Sequence, residues 1–357
     1  MTGEIVLLTG ATGMIGFRTL VFLLEAGYKV RAAVRNQAGF DRISQLGPVA
    51  PYASQLSSII VPDITVPGAY DEAVKDVEYI VHVASPLASN APPGIDYDSY
   101  MIQPAIHGTV GILESAIKTT TVKRIVITGS VMSITTPAIL SSGEYINGKS
   151  FLNNKAPRVN RPISKESRVP TSHGPFTNVM DAYAASKSAA FNETKKFIAE
   201  KNPPFDVIHV LPLFVLGRDD TVTTAEQIVK GTNKILMAPL LGTPRPPIPG
   251  APVHLDDVAR LHVLSLDPKV DGNQDFLAGS HSLEPFEWSD SVNIIKKHFP
   301  QAVADGVFKF EAAEQLVTFK TQVDSTKAEK MFGFKFKRFE EQVVSVVGHY
   351  LELLGKN

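Results

Sequence analysis

The sequence predicts a doubly wound α/β fold with a parallel sheet and a smaller C-terminal lobe. Three observations carry this. A glycine-spaced turn joins the apolar run Ile5-Val6-Leu7-Leu8 to the amphipathic stretch Phe17–Ala26. Short apolar runs then alternate with helical patterns as far as Leu211. Beyond Gly217 the texture changes to short strands, prolines and separate helices. Apolar strands alternating with helices call for a parallel sheet with right-handed crossovers.

In chain order, the first strand is Ile5–Leu8, followed by Lys29–Val34, Ser58–Val61, Tyr79–Ala84, Arg124–Thr128 and Asp206–Leu211. The helical patterns between them are Phe17–Ala26, Tyr70–Lys75, Ser99–Thr119 and Ala182–Lys201. Residues 134–180 interrupt the alternation. They are rich in Ser, Pro, Asn and Gly and show little periodicity. A loop this long in a compact domain is usually functional or disordered. It joins the fifth strand to a helix with a chemically interesting pair, so it is expected to form a substrate-side lip, with a plain spacer as the alternative. After Gly217 the expected helices are Thr224–Leu236, Leu255–Leu266, Glu287–His298, Thr326–Phe332 and Phe339–Leu354. The expected division is therefore residues 1–217 and a smaller lobe over 218–357, some segments of which return to the first domain. No Gly/Ser linker separates the halves.

Composition narrows the function. The 357 residues are 44% hydrophobic and 20% charged, as in soluble globular proteins. A formal net charge of -1 gives no reason to expect nucleic acid or an anionic membrane as partner. The chain has no cysteine, which excludes disulfides, thiolate metal sites and cysteine nucleophiles. The first strand begins so early that no targeting peptide is expected, and no apolar run approaches the ~18 residues of a membrane span. The expected location is the cytoplasm. No His/Asp/Glu spacing calls for a metal.

Thr9-Gly10-Ala11-Thr12-Gly13-Met14-Ile15-Gly16 lies between strand and helix, the order needed to place a pyrophosphate on a helix N-terminus. Gly10 permits the tight turn, Gly13 lets backbone N–H groups reach the phosphates, and Gly16 allows close helix–strand packing. An acidic residue reading the ribose is expected some 20 residues later when the cofactor is NAD. Here the second strand ends Val34-Arg35-Asn36. A carboxylate would repel a ribose 2′-phosphate, whereas an arginine pairs with it. The expected cofactor is NADPH, with Arg35 as its main determinant; a solvated strand end is the alternative. Asp63 and Ile64 follow the third strand. There Asp63 either accepts from the adenine amino group or forms a plain turn. Ala84-Ser85-Pro86 ends the fourth strand, where small residues let a cofactor lie close to the backbone. Thr9, Thr12, Met14 and Ile15 complete the expected loop contacts.

Tyr183-Ala184-Ala185-Ser186-Lys187 sets a phenol and an ammonium four residues apart, on one face of a predicted helix. A phenol titrating near ~10 is a poor acid–base group at neutral pH, and an adjacent ammonium favours the phenolate. Such a tyrosine can protonate a carbonyl oxygen as hydride reaches the carbon. Lys187 can also bond the nicotinamide ribose. Ser130, in Thr128-Gly129-Ser130 at the end of the fifth strand, is the candidate donor to the carbonyl oxygen, with Ser133 as runner-up. His82, inside an apolar strand, reads as a satisfied core histidine. His254 with Asp256-Asp257 reads as helix capping, and Trp288 as lobe packing. One of His173, Phe176 and Met180 is expected to touch substrate.

Together these residues resemble the extended short-chain dehydrogenases/reductases, with their Rossmann domain. The nearest branch holds dihydroflavonol reductase, cinnamoyl-CoA reductase and the fungal methylglyoxal and ketone reductases. Further matching pieces are Val81-His82-Val83-Ala84-Ser85-Pro86, Pro104-Ala105 with Gly108-Thr109, Leu211-Pro212 before Gly217, Val253 to Ala259, and Asp324 to Phe334. The resemblance implies NADPH-dependent reduction of an aldehyde or ketone, with Ser130, Tyr183 and Lys187 catalytic and Pro212 and Val215 beside the nicotinamide. It also implies a small-molecule substrate and a monomer or homodimer. Thr128-Gly129-Ser130 stands where relatives commonly have two serines, and the lip is longer than usual. The tyrosine motif lacks the aromatic residues of cinnamoyl-CoA reductases, which makes the fungal carbonyl reductases the nearer comparison. Two alternatives remain: a nucleotide-sugar epimerase or dehydratase with bound NAD, and a non-enzymatic NADP-sensing protein.

Overall fold

The computed structural model describes residues 3–86, 94–142, 145–146, 169–280 and 286–356. Much of the expected lip, 143–144 and 147–168, lies outside the described residues.

The first strands and helices follow the sequence pattern closely. They are β1 (Ile5–Thr9), α1 (Met14–Glu25), β2 (Lys29–Val34), α2 (Gln37–Ser44), β3 (Leu56–Ile60) and β4 (Tyr79–His82). Next come α3 (Gln103–Ala116), β5 (Arg124–Thr128), α4 (Val179–Lys201), β6 (Asp206–Pro212) and β7 (Asp275–Ala278). The sheet runs in the order β7-β6-β5-β4-β1-β2-β3. The pairs from β3 across to β6 are parallel. At the β7 edge, His209 N–H donates to the Gln274 carbonyl at 3.0 Å. The order reverses between β1 and β4, the switch point where ligands of doubly wound sheets bind.

Three expectations are corrected. Tyr70–Lys75 forms turns, not a helix: one Val74-to-Tyr70 backbone bond forms after Pro67-Gly68, and Asp76 at φ 60 ends the segment. The pattern Thr224–Leu236 divides into Ala225–Ile228 and Lys234–Leu240 on either side of Gly231. The pattern Ser99–Thr119 starts as a π-helical turn over Asp98–Ile102 before α3 takes over. Helix α2 was not expected at all.

The described residues fall into two units. The first lies within Met1–Pro137, Gly148–Leu211 and Ala259–Phe276, and the second within Ala138–Asn147, Pro212–Val258 and Leu277–Asn357. In the first, one side of the sheet packs Leu7, Ile80, Ile125 and Val207 against Tyr70, Val74, Ile112 and Leu113. Arg124, 5% exposed, starts β5 and binds Asp206 through two N–H···O bonds of 2.6 and 2.9 Å. It also donates to the carbonyls of Ser265, Asp267 and Val270. The segment after Leu264 is thus tied to the strand bottoms. Gly272 must be glycine here, since a Cβ would lie 2.2 Å from the Asp206 carboxyl carbon.

The second unit packs around α5 (Asp290–His298) and α6 (Phe339–Leu353). Trp288 sits at its centre, 1% exposed and edge-on to Phe286 and Phe339, with Nε1–H donating to the Pro249 carbonyl. Among the described residues no helix is long and apolar enough to cross a membrane.

Candidate active site

The glycine loop shows why each glycine stands where it does. Gly10 has φ +76, and a Cβ on it would meet the Ala84 backbone nitrogen at 2.7 Å. A Cβ on Gly16 would lie 2.0 Å from the Gly10 carbonyl oxygen, closer than any real contact. Gly13 is different. A Cβ there would meet only the Gly10 oxygen, at 3.7 Å, so the space in front of α1 stays open. Gly13 is also the N-cap of α1, and no side chain caps that helix. The first-turn N–H groups, with Met14 and Ile15 in that turn, are therefore available to a phosphate. Thr9 Oγ1 accepts from the N–H groups of Val83 and Ala84, which draws the end of β4 alongside the loop. This cradle fits a dinucleotide pyrophosphate.

At the far end of the loop, Arg35 is exposed directly after β2. Asp63 turns back on Thr65: its Oδ1 accepts from the Thr65 N–H at 2.8 Å and the Thr65 hydroxyl at 2.7 Å. These bonds, and more weakly the charge of Arg35, hold its carboxyl below the usual range. Those bonds make a turn, with Asp63 exposed. Ile64 and Pro86 both approach α3, where a Cβ on Gly108 would be 3.2 Å from Ile64 Cδ1 and 3.8 Å from Pro86 Cδ. Sequence reasoning missed Arg42. Asn36 caps α2 by accepting from Gly39 N–H, and Arg42 in its last turn donates to the Thr12 carbonyl at 3.0 Å. The Arg42 guanidinium thus reaches the glycine loop.

The chemical end is built on α4. Asn178 caps this helix, its Oδ1 accepting from Asp181 N–H at 2.9 Å. One turn on, the Lys187 ammonium lies 5.5 Å from the centroid of the Tyr183 ring. Lys187 is buried and donates to Ser85 Oγ at 2.8 Å, whereas Tyr183 is half-buried. Ser85, expected only as a small residue under the cofactor, is therefore a partner of the lysine. Ser130, 8% exposed, caps the short 3₁₀ turn Val131–Ser133: its Oγ accepts from Met132 N–H and Ser133 Oγ accepts from Ser130 N–H. That turn packs on α4. Among the described residues no acceptor takes the hydroxyl hydrogen of Ser130.

The remaining candidates divide between packing and surface. Phe176 packs with Ile102, Ala185 and Ala189, while His173 and Met180 are exposed. Pro212 closes β6, and Val215 pairs with Val253 in the second unit. There His254 Nδ1 accepts from Asp256 N–H, and Asp256 and Asp257 bind Lys337. The acids at that helix start therefore tie down a distant segment besides complementing the dipole.

A doubly wound parallel sheet with a glycine-lined loop at its switch point defines a dinucleotide-binding α/β protein. The chain belongs to the NAD dependent epimerase/dehydratase family, of the extended short-chain dehydrogenase/reductase type, whose model matches residues 6–279. It is 39% identical to ketoreductase CTB6 of Cercospora nicotianae, over 100% of this chain and 98% of that protein. It is 28% identical to aldehyde reductase 2 of Sporidiobolus salmonicolor, over 97% and 96% of the two chains. The crystal structure of Gre2 from Candida albicans in complex with NADPH matches with a TM-score of 0.77 and 25% identity, over 98% of this chain and 99% of that one.

Proposed function

We propose that this chain reduces a small aldehyde or ketone to the alcohol, with NADPH as hydride donor. The observation that carries the reading is the Lys187 ammonium set against the Tyr183 ring and anchored by Ser85. The names of the ketoreductase and aldehyde reductase relatives support it, as does NADPH in the Gre2 complex. Bound NADPH supplies hydride to the carbonyl carbon. Tyr183 gives its phenolic proton to the carbonyl oxygen, so that C=O becomes CH–OH. Lys187 offsets the negative charge left on the phenol oxygen. Ser130 donates its hydroxyl hydrogen to the same carbonyl oxygen as charge grows there.

Arg35 and Arg42 together select the 2′-phosphate. One charge-assisted contact contributes roughly 1.5–3 kcal/mol, so Arg35→Ala raises KM for NADPH about 10- to 100-fold and leaves KM for NADH nearly unchanged. Adding Arg42→Ala widens that gap. Steady-state kinetics with both cofactors checks this, and equal use of NADH by the wild-type protein contradicts it. Activity itself is tested by a panel of small aldehydes and aryl ketones followed by NADPH absorbance. Turnover of several members is expected. A non-exchanging NAD that copurifies with the protein favours the epimerase-type chemistry instead.

A further inference from the structure

Strand register brings two buried histidines to one level of the sheet. Thr9 of β1 pairs with His82 of β4, His82 with Ile127 of β5, and Ile127 with His209 of β6. Residues at one level of parallel strands face the same side, so His82 and His209 flank Ile127, their strands roughly 10 Å apart. Both line a cavity of about 20 Å³, whose wall also includes Lys187, Ser85, Thr128 and Ser133. Neither Nε2 atom has a hydrogen-bond partner among the described residues, and both are sealed from solvent. Buried polar atoms in proteins are nearly always paired.

The partners of the other ring nitrogens determine what each Nε2 can do. Thr9 Oγ1 already accepts two backbone N–H groups, so its own hydrogen goes to His82 Nδ1, 2.9 Å away. His82 Nδ1 is then the acceptor, and the ring hydrogen sits on Nε2. His209 is the reverse. Its Nδ1 lies 2.9 Å from the Asp275 carboxylate, which also takes Lys195 at 2.7 Å. That carboxyl is held down to about 2 and accepts only, so His209 Nδ1 carries the hydrogen and Nε2 offers a lone pair. Burial keeps both imidazoles neutral. The residues lining the cavity thus include one unused ring donor, one unused ring acceptor, and the Lys187 ammonium with donors beyond the one given to Ser85.

We propose that this cavity is a built water site, and that its water makes His209 a positioning residue for Lys187. The space exceeds the roughly 10–15 Å³ that one water requires, and the wall supplies the two to four polar partners an ordered water needs. The water accepts from His82 Nε2–H and Lys187 Nζ–H and donates to His209 Nε2. Lys187 is then fixed from two sides, by Ser85 and by the water. His209 is itself held by Asp275, which also binds Lys195, and its ring packs tilted against Phe191 with centroids 4.7 Å apart. The positioning role rests on the reading of Lys187 as catalytic; the water site does not.

Two measurements test it. A high-resolution crystal structure of the wild-type protein is expected to show an ordered water within hydrogen-bond distance of both His209 Nε2 and Lys187 Nζ. A dry cavity, or an Nε2 bonded to protein instead, overturns the proposal. In kinetics, His209→Leu is expected to lower kcat about tenfold, with KM for NADPH within about twofold, because a misplaced catalytic group costs rate more than binding. His209→Gln, which keeps a hydrogen-bonding head at the Nε2 position, is expected to recover most of the loss. Equal losses in the two variants, or none in either, overturn the positioning role. If the leucine variant does not fold, the glutamine variant and the wild-type crystal still decide. A protein without carbonyl reductase activity but with the water in place contradicts the proposed function alone.

Discussion

Replacing Tyr183 with phenylalanine is expected to lower kcat about 10³-fold while leaving NADPH affinity within about twofold, because general acid catalysis contributes on the order of 10²–10⁴. The change removes one oxygen and leaves the ring that Lys187 faces at 5.5 Å. It alters neither the Asn178 cap of α4 nor the bond from Lys187 to Ser85, so the helix and the lysine keep their places. The loss therefore reports the proton rather than the scaffold. Stopped-flow or steady-state kinetics, with fluorescence titration of NADPH, separates the two. A parallel loss of NADPH binding contradicts the assignment, since it makes Tyr183 a cofactor anchor first and an acid second.

The second large effect falls on stability. Arg124→Leu is expected to destabilise the fold by roughly 3–5 kcal/mol, the cost of removing one partner of a buried ion pair. Three features make this site expensive. Asp206 loses both of its bonds to the guanidinium, and the carbonyls of Ser265, Asp267 and Val270 lose their donor. The leucine cannot reach any of them. The carboxylate of Asp206 is 28% exposed and regains some solvation, which moderates its share of the loss. Thermal unfolding is expected to shift down by roughly 10 °C. Arg124→Lys is expected to fall between, because a single ammonium cannot replace a fork that serves four partners. A shift of less than about 2 °C in the leucine variant contradicts this account of how the segment after Leu264 is held.

These two sites differ in how far the sequence revealed them. Tyr183 and Lys187 were legible because helical spacing alone places i and i+4 on one face. Gly13, Gly16 and the turn at Gly10 were legible for the same local reason, since all are decided within eight residues; the close approach of Gly10 to the Ala84 backbone was not. β5 was found with its observed bounds, Arg124–Thr128, because a buried strand reads as an apolar run between polar ends. Arg124 itself gave no such signal. Its partners lie 82 and 141 to 146 residues away, and no local pattern announces a contact at that separation.

The same limit hid the role of His209. Sequence reasoning passed over it and read His82 as a satisfied core residue. The structure pairs the Nδ1 atoms of both, leaves both Nε2 atoms without a partner among the described residues, and places both residues with Lys187 along one cavity. Only strand register, a property of the whole sheet, sets them side by side. Arg42 was missed for another reason. α2 buries a single residue, Ile43, so it has no apolar stripe to betray a helix. Tyr70–Lys75 failed in the opposite direction: its buried Tyr70, Ala73 and Val74 imitate a helical stripe, but the chain turns at Asp76 before a helix can propagate.

The central claim is that Tyr183 and Lys187 reduce a carbonyl with NADPH. The most direct measurement is single-turnover NADPH oxidation with an aldehyde or ketone that the wild-type protein turns over, run side by side with Tyr183→Phe. The account predicts rapid loss of NADPH absorbance and stoichiometric alcohol in the wild type, and almost none in the variant although it binds NADPH. Equal rates of NADPH oxidation in the two proteins would contradict it.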